Sequence, residues 1–398
     1  MGEDQIRTAS APPWTSTEPD SHASTLVMLG TNGEGHVPIG CRVALWRHRR
    51  GVTVTEMASS SSLTVQLIRD VEAEVDWVGR HRVLYSLAAG LRLDPTELTG
   101  QPYEPQGTQH GVVRAAAWHL RRHVVQAGPR TRGSARDLEE LRPGAEDIRA
   151  AQAAGDEHAL ALRLPALLEL ADRACAEGGD GPDARAARTV AYVAAAGLLR
   201  RLGYRDLAWS LLHRAGPSAG GDQLAASEEI RLLTSMGLPE TAADRATQHL
   251  ATALSVELLC AAALAHASAG RRHQAEALLG QAGDRVGGEV EAAEVAVAMA
   301  GSAMQFGVLD EVLELEADTA SMPPARRADL LLFGAEAWAR STDTNRAAES
   351  LAAAEDVAPL YIRLDPLARE LLHALRSRAR DANDTGLLVR MAGNFGMK

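Results

Sequence analysis

The sequence predicts an all-α protein, with an N-terminal group of five short helices followed by a long array of helical repeats. Alanine and leucine are abundant, aromatic residues make up only 4% of the chain, and β-branched runs bounded by turn residues are scarce. Residues that favour helices therefore outweigh residues that favour strands. From residue 203 onward a turn pattern recurs at a nearly constant interval, which is typical of stacked helix pairs.

The 398 residues are enough for two or three domains. Cys41, Cys175 and Cys260 lie far apart and lack the spacing of a zinc site or a disulfide framework, which indicates a reducing cytoplasm. The chain shows no signal-peptide pattern and no apolar run of about 18 residues, so we expect neither secretion nor a membrane span. Every basic residue except Lys398 is arginine, which with the alanine content indicates a GC-rich, actinobacterial genome.

The charge is distributed unevenly along the chain, whose net charge is −11. Residues 37–100 hold eight arginines against seven acids, and residues 101–142 hold seven arginines against four acids. Everything after residue 142 is acidic on balance. This distribution argues against a protein that coats nucleic acid along its whole length, but it allows a contact confined to the N-terminal part.

The first 135 residues divide into three segments. Residues 1–36 are rich in Ser, Thr, Pro and Gly without periodicity, which predicts a disordered tail. Residues 37–100 form a compact unit. Its segment IGCRVALWRHRRG predicts a first helix that ends on basic residues and a glycine.

The rest of that unit predicts four more helices. GVTVTEMASSSSLTVQLIRDVEAE predicts two short helices joined by a tight turn. DWVGRHRVLYSLAAGLRLDPTELTG predicts a fourth helix that ends near Gly90 and a fifth with Pro95 in its first turn. Residues 101–135 predict a linker helix carrying Trp118 and several arginines. We expect this helix to lie between the N-terminal unit and the repeats and to couple their movements.

Residues 136–398 carry an internal repeat. A turn residue is followed five positions later by Ala or Val in LGYRDLA, MGLPETA, AGRRHQA, FGVLDEV and STDTNRA. The turn residues are Gly203, Gly237, Gly270, Gly307 and Thr342, at spacings of 34, 33, 37 and 35 residues. A period near 34 with two helices per unit is the length of a tetratricopeptide repeat. An alanine-rich bundle with accidental periodicity is the alternative.

Small residues recur at fixed offsets from these turns, where neighbouring helices must approach closely. Those seven positions before the turn are Ala196, Ala263, Ala300 and Ala335, and those twelve positions after it are Ala215, Ala282 and Ala354. The second repeat lacks both, since Ile230 and His249 occupy these positions.

The N-terminal unit resembles the helix-turn-helix domain of Xre/Cro/C1-type repressors. The resemblance covers about 60 residues and rests on LWRHRRGVTVTEMA, SLTVQLIRDVEAE and LYSLAAGLRLDPTEL. It implies that Thr53 caps the second helix, that Thr64 caps the recognition helix, and that Glu74 stands where the family has a turn glycine. Its core positions fall on Met57, Ala58, Leu63, Ile68 and Val71.

The same resemblance places six residues at the DNA: Arg47, Thr53, Thr64, Val65, Gln66 and Arg69. Gln66 suits a bidentate contact with adenine, Val65 a thymine methyl group, and Arg69 a phosphate or guanine. Capped helix ends bind phosphates through free backbone N–H groups. The acids Asp70, Glu72, Glu74 and Asp76 at the end of the recognition helix are expected to repel phosphate. This implies either a modest affinity for DNA or a need for dimerisation to place two readers at half-sites.

The first helix of each repeat is expected to line a concave surface. Counting back from the turns predicts an effector site of Arg200, Arg231, Thr234, Glu257, Gln305, Glu336 and Arg340, with Arg201, Glu294 and Asp329 beside them. Arginines in the early repeats and acids in the later ones would suit a short peptide with free termini, or an amphiphilic metabolite. The alternative is that these charges pair with one another across the groove.

Nothing in the sequence supports an enzyme. Metal-ligand spacing, phosphate-binding loops and nucleophile motifs are absent, so we expect no cofactor and no metal. The combination resembles actinobacterial regulators that join a helix-turn-helix to helical repeats, which implies double-stranded DNA as a partner, homodimerisation and control by a peptide or small molecule. An interaction scaffold with a degenerate helix-turn-helix, or a repressor without an effector, are the alternatives.

Overall fold

A computed structural model of the protein describes residues 36–126, 135–175, 181–215, 222–315, 319, 321–379 and 382–397. Regular secondary structure in these residues is entirely helical, which confirms the predicted all-α class. The predicted N-terminal tail lies outside the described residues, except for His36.

The first five helices form a compact five-helix unit. They are α1 Ile39–Arg49, α2 Val54–Ser61, α3 Val65–Glu72, α4 His81–Leu91 and α5 Pro95–Thr99. Met57, Ile68 and Val71 are buried in its core together with Leu84 and Leu91 of α4, whereas Leu63 is only partly buried. The predicted helices of residues 37–100 are therefore all present, with Pro95 in the first turn of α5.

Gly40 allows α1 to cross α3 at very short range. A Cβ atom at this position would lie only 1.9 Å from the carbonyl oxygen of Val71. The crossing therefore requires glycine, and any side chain would push α1 away from α3.

The remaining helices form the larger part of the molecule. They are α6 Gly107–Val125, α7 Ala135–Ala154, α8 Glu157–Ala174, α9 Pro182–Leu202, α10 Arg205–Leu212, α11 Asp222–Ser235, α12 Pro239–Leu250, α13 Val256–Ser268, α14 Arg272–Gly283, α15 Glu289–Phe306, α16 Leu309–Glu314, α17 Pro324–Arg340, α18 Thr344–Val357, α19 Pro359–Arg363, α20 Pro366–Arg378 and α21 Ala382–Phe395. From α9 to α18 they form five helix pairs, and the first helix of each pair packs on the first helix of the next.

The five predicted turn residues all adopt the left-handed backbone conformation between the two helices of a pair. The φ angles are +89° at Gly203, +78° at Gly237, +77° at Gly270, +73° at Gly307 and +69° at Thr342. Glycine is favoured there because it has no Cβ to clash in this region. The alanines predicted at fixed offsets from the turns are buried as expected, each 6% exposed or less.

The helix pairs α7 to α18 close into a ring. We use the name ring for these pairs together with the helices that pack on them, α6 and α19 to α21. The pair α7–α8 precedes the five predicted repeats. Its turn residue, Gly155, has a φ of +66° and lies against the last pair of the array. A Cβ at Gly155 would lie 2.9 Å from Cβ of Ala358 and 3.6 Å from Cα of Ala325. The first pair of the array thus contacts the last one.

Helix α6 belongs to the body of the ring. Val113, Ala116, Ala117 and Leu120 share a hydrophobic core with α8, α9 and α10. The expectation that this helix lies between the N-terminal unit and the repeats is therefore wrong. The apolar face of α6 is wide enough for the helix to pack on α8. The prediction from the sequence rested on the basic side chains on the other face of α6, and it did not include this packing.

Candidate functional sites

The two short helices α2 and α3 begin at the predicted capping residues. The Thr53 side chain accepts a hydrogen bond from the backbone N–H of Glu56, while the Glu56 carboxylate accepts one from Thr53 N–H at 2.8 Å. The Thr64 side chain accepts from Leu67 N–H at 3.1 Å. Ser62, at φ +55°, makes the tight turn between the helices. Both predicted caps are confirmed.

The outer face of α3 is exposed. Gln66 and Arg69 are exposed and Val65 is half-buried, while Ile68 and Val71 on the opposite face are buried. The Gln66 amide donates a hydrogen bond of 2.8 Å to the carboxylate of Asp70, one turn further along. The polar side chains of Gln66 and Arg69 thus lie on the outer face of α3, and the buried apolar face fixes the orientation of this helix.

Arg47 is held by an ion pair at the end of α3. Its guanidinium donates two hydrogen bonds, of 2.6 and 2.7 Å, to the carboxylate of Glu72, and a third to the carbonyl of Val52. Bidentate pairs of this kind fix geometry. Arg47 therefore anchors α1 to α3, which differs from the DNA contact expected from the sequence.

The other acids after α3 are also engaged. Glu74 adopts φ +56° at the position expected to be a turn glycine, and its carboxylate accepts from His373 at 3.0 Å. Asp76 accepts from Arg340 at 3.2 Å. These acids join the five-helix unit to the ring instead of standing free next to α3, so the expected repulsion of phosphate is reduced.

The five-helix unit rests on the turns of the ring. A Cβ added to a turn glycine would approach this unit in four repeats: Gln101 at Gly203, Pro95 at Gly237, Arg82 at Gly270 and Arg80 at Gly307, each at 3.1 Å or less. Gln101 also donates a hydrogen bond of 2.7 Å to the carbonyl of Arg201. The in-phase turns therefore form one continuous edge to which the five-helix unit is docked.

Trp77 anchors the fifth turn. Its indole N–H donates a hydrogen bond of 2.9 Å to Glu336, and the guanidinium groups of Arg340 and Arg378 lie 4.3 and 4.2 Å from its ring centroid. Trp77 is only 7% exposed. A tryptophan close to two cations in a buried setting is a strong attachment, because cation–π attraction increases with desolvation.

Glu370 connects the start of α1 to α20. Its carboxylate oxygens accept hydrogen bonds of 3.1 and 3.2 Å from the backbone N–H of Ile39. Burial raises the pKa of Glu370 to about 7, while burial and nearby Arg369 lower the pKa of neighbouring His36 to about 3.

A Glu370→Gln variant is expected to gain stability relative to the parent as pH rises. The folded pKa of Glu370 exceeds its unfolded value, so its ionisation opposes folding increasingly from pH 4.5 to about 7 and constantly above that. The relative gain is expected to reach up to about 3 kcal/mol above pH 7. The depressed pKa of His36 has the opposite effect, because the folded protein loses stability as pH falls below 6.5. His36 is present in both the parent and the variant.

Urea unfolding of parent and variant at pH 5 and pH 8 measures this difference. The exposed residue Glu349 supplies a matched control, since Glu349→Gln is expected to leave the difference between the two pH values unchanged. If the free energies of unfolding of Glu370→Gln and the parent differ by the same amount at pH 5 and pH 8, the pKa of Glu370 is not raised.

The ring encloses a cavity of about 910 Å³. The first helices of the pairs form its wall, and α7 and α17 complete the wall where the ring closes. One end faces the five-helix unit, where His81, Leu84 and Tyr85 of α4 line the cavity. Its volume lies within the range of sites that bind small molecules or cofactors.

Six of the seven predicted effector residues line this cavity: Arg200, Arg231, Thr234, Glu257, Gln305 and Glu336. The apolar residues Val193, Leu264, Val297 and Leu332 of the first helices line it as well. Arg340 does not, because its guanidinium turns outward to Asp76 and to the carbonyl of Trp77. The spacing of the repeats thus identified residues of the cavity wall. Arg340 instead lies on the docking edge, the row of turns to which the five-helix unit is attached.

The charges in the cavity pair with one another between repeats. Arg200 contacts Glu228 at 2.7 Å, and Arg231 contacts Glu257 at 2.7 Å and Glu294 at 3.0 Å. The expected polarity, with free arginines at one side and free acids at the other, is therefore absent. The alternative interpretation, pairing across the groove, describes these contacts.

Sequence reasoning missed the contribution of α4. His81 and Tyr85 are one helical turn apart, with ring centroids 5.8 Å apart, and both line the cavity. Their role depends on docking of the five-helix unit, for which the sequence carries no local signal. Arg326, whose guanidinium contacts Glu294 at 2.7 Å, was also missed.

The described residues contain no group of three or more His, Cys, Asp or Glu side chains that could hold a metal ion. Within the same part of the chain, no helix is both long and apolar enough to cross a membrane.

Comparison with known proteins identifies no family. No family model matches the chain, and no curated protein matches it. Among solved structures, a chain of the crystal structure of the APC/C hetero-tetramer Cut9-Hcn1 is similar at a TM-score of 0.35 and 10% identity, with 92% of each chain covered.

Proposed function

We propose that this protein is a transcriptional regulator that binds double-stranded DNA through α2 and α3 and senses a small ligand in its ring. The observation that carries this proposal is the exposed outer face of α3, where Gln66 and Arg69 stand on a helix fixed by buried Ile68 and Val71. Such a face fits the major groove, whose base edges pair with amide and guanidinium groups.

The docking of the five-helix unit leaves that face free. The hydrogen bonds that attach the unit to the ring involve Ile39, residues 74–82 and residues 94–101, and none of those described involves Thr53, Gln66 or Arg69. The capped N-termini of α2 and α3 are likewise exposed. Helix N-termini bind phosphate oxygens, so these positions suit backbone contacts that set the register on DNA.

We propose that two copies bind together. Helix α3 has only eight residues, so one copy reaches few base edges. Regulators with this arrangement gain affinity and specificity by placing two readers on half-sites about one helical turn of DNA apart. The acidic side chains at the end of α3 weaken binding to DNA phosphates, so a second copy is needed to raise the affinity.

Selection from a pool of random DNA duplexes tests the function without a known operator. The full-length chain is expected to enrich one motif. The control variant Arg142→Ala, whose side chain on α7 is 78% exposed, is expected to enrich the same motif. The double variant Gln66→Ala/Arg69→Ala is expected to enrich none. Failure of the parent chain to enrich any sequence would overturn the proposal and favour an interaction scaffold.

A further inference from the structure

The inner face of α4 presents two uncharged polar groups to the cavity. Burial, with smaller effects of Arg205 and Arg200, lowers the pKa of His81 to about 4, so its imidazole is neutral at pH 7. Burial raises the pKa of Tyr85 to about 12, so its phenol is neutral as well. Among the described residues, neither side chain has a hydrogen-bond partner. Both are therefore available to a ligand.

Five of the six arginines that line the cavity are already committed to carboxylates. Arg200 contacts Glu228 at 2.7 Å, and Arg326 contacts Glu294 at 2.7 Å. Arg201 contacts Glu157 at 2.9 Å and Arg205 contacts Asp94 at 2.8 Å. Arg231 is paired with two carboxylates in the same way. The sixth arginine, Arg149, is exposed on α7. An anionic ligand would therefore find no free cation in the buried part of the cavity, which is costly.

Between the ion pairs much of the wall is apolar. The apolar lining residues come from successive first helices and from α4, and they include Leu84, Val193, Leu264, Val297, Leu332 and Phe333. A ligand that covers these side chains gains from removing apolar surface from water.

We propose that the cavity binds an uncharged, largely apolar small molecule that hydrogen-bonds to His81 and Tyr85. The binding site is thus shared between the ring and the five-helix unit, and an occupied cavity stabilises the docked position of α4. This inference rests on the proposed function in treating the cavity as the effector site. It assigns the chemistry of the ligand and its contact with the unit that carries α3.

Two fluorescent probes that differ by one sulfonate test the ligand chemistry on the full-length chain. N-phenyl-1-naphthylamine is uncharged and has one N–H donor, while 1-anilinonaphthalene-8-sulfonate is its anionic relative. We expect the uncharged probe to bind one site at least about tenfold more tightly than the sulfonate. Equal or tighter binding of the sulfonate overturns the inference.

Three variants locate the probe. Leu264→Trp narrows the cavity and His81→Phe keeps an aromatic ring without the imidazole nitrogens, so both are expected to weaken binding of the uncharged probe severalfold. Glu228→Gln frees Arg200 and is expected to tighten sulfonate binding severalfold. Circular dichroism confirms that each variant is folded, and Leu254→Trp, on an exposed residue, is the control for an added indole.

Unchanged binding of the uncharged probe to both Leu264→Trp and His81→Phe places it outside the cavity and contradicts the inference. These titrations contain no DNA. A failed DNA selection with the expected probe behaviour therefore overturns only the proposed function, and the reverse result overturns only the ligand assignment.

Discussion

Replacing Trp77 by alanine is expected to weaken attachment of the five-helix unit to the ring by about 3–5 kcal/mol. The indole is buried beside Arg340 and Arg378, and its N–H is bonded to Glu336. Alanine leaves a cavity, removes both cation–π contacts and leaves the Glu336 carboxylate with one partner fewer.

Hydrogen exchange of the backbone amides measures this loss in the full-length chain. Amides of α1 and α4 are expected to exchange faster in Trp77→Ala, whereas those of α13, in the ring, change little. Trp118→Ala is the matched control, because Trp118 is 56% exposed on α6 and its loss is expected to cost no more than about 0.5 kcal/mol. Equal exchange in the two variants would contradict the anchoring role of Trp77.

The double variant Gln66→Ala/Arg69→Ala is expected to lose the preference for a selected DNA duplex over a scrambled one. Gln66 contributes base recognition of about 1–3 kcal/mol, and Arg69 contributes affinity that depends on salt. Fluorescence anisotropy at two salt concentrations separates these contributions. Arg69→Ala alone is expected to reduce the slope of log affinity against log salt by about 1 when Arg69 binds a phosphate.

The double substitution is not expected to affect folding, because the side chains of Gln66 and Arg69 are both exposed. Thermal unfolding of the double variant is therefore expected to match the parent within about 0.5 kcal/mol. A variant that unfolds normally and retains full sequence preference would exclude the outer face of α3 as the reader.

Local features of the fold could be predicted from the sequence. Thr53 and Thr64 cap their helices through bonds to residues three positions away, and glycine at turns such as Gly203 satisfies a backbone angle that other residues avoid. Periodicity then placed the first helices around a common surface. The pair α7–α8 was missed because Gly155 lies 48 residues before Gly203, outside the period near 34.

Contacts between distant segments could not be predicted. Trp77 and Glu336 are 259 residues apart, and nothing near either residue indicates the other. The charge polarity expected for the cavity was wrong for the same reason, because Arg231 pairs with acids 26 and 63 residues away. Closure of the ring and docking of α4, which create the cavity, likewise depend on tertiary packing.

A thermodynamic cycle tests whether the outer face of α3 reads base pairs. The affinities of parent and Gln66→Ala are measured for the selected duplex and for duplexes changed at single base pairs. We expect Gln66→Ala to cost about 1–3 kcal/mol of binding free energy on the selected duplex and close to nothing once one particular base pair is changed. An equal cost of Gln66→Ala on every duplex, or no cost at all, would contradict this expectation.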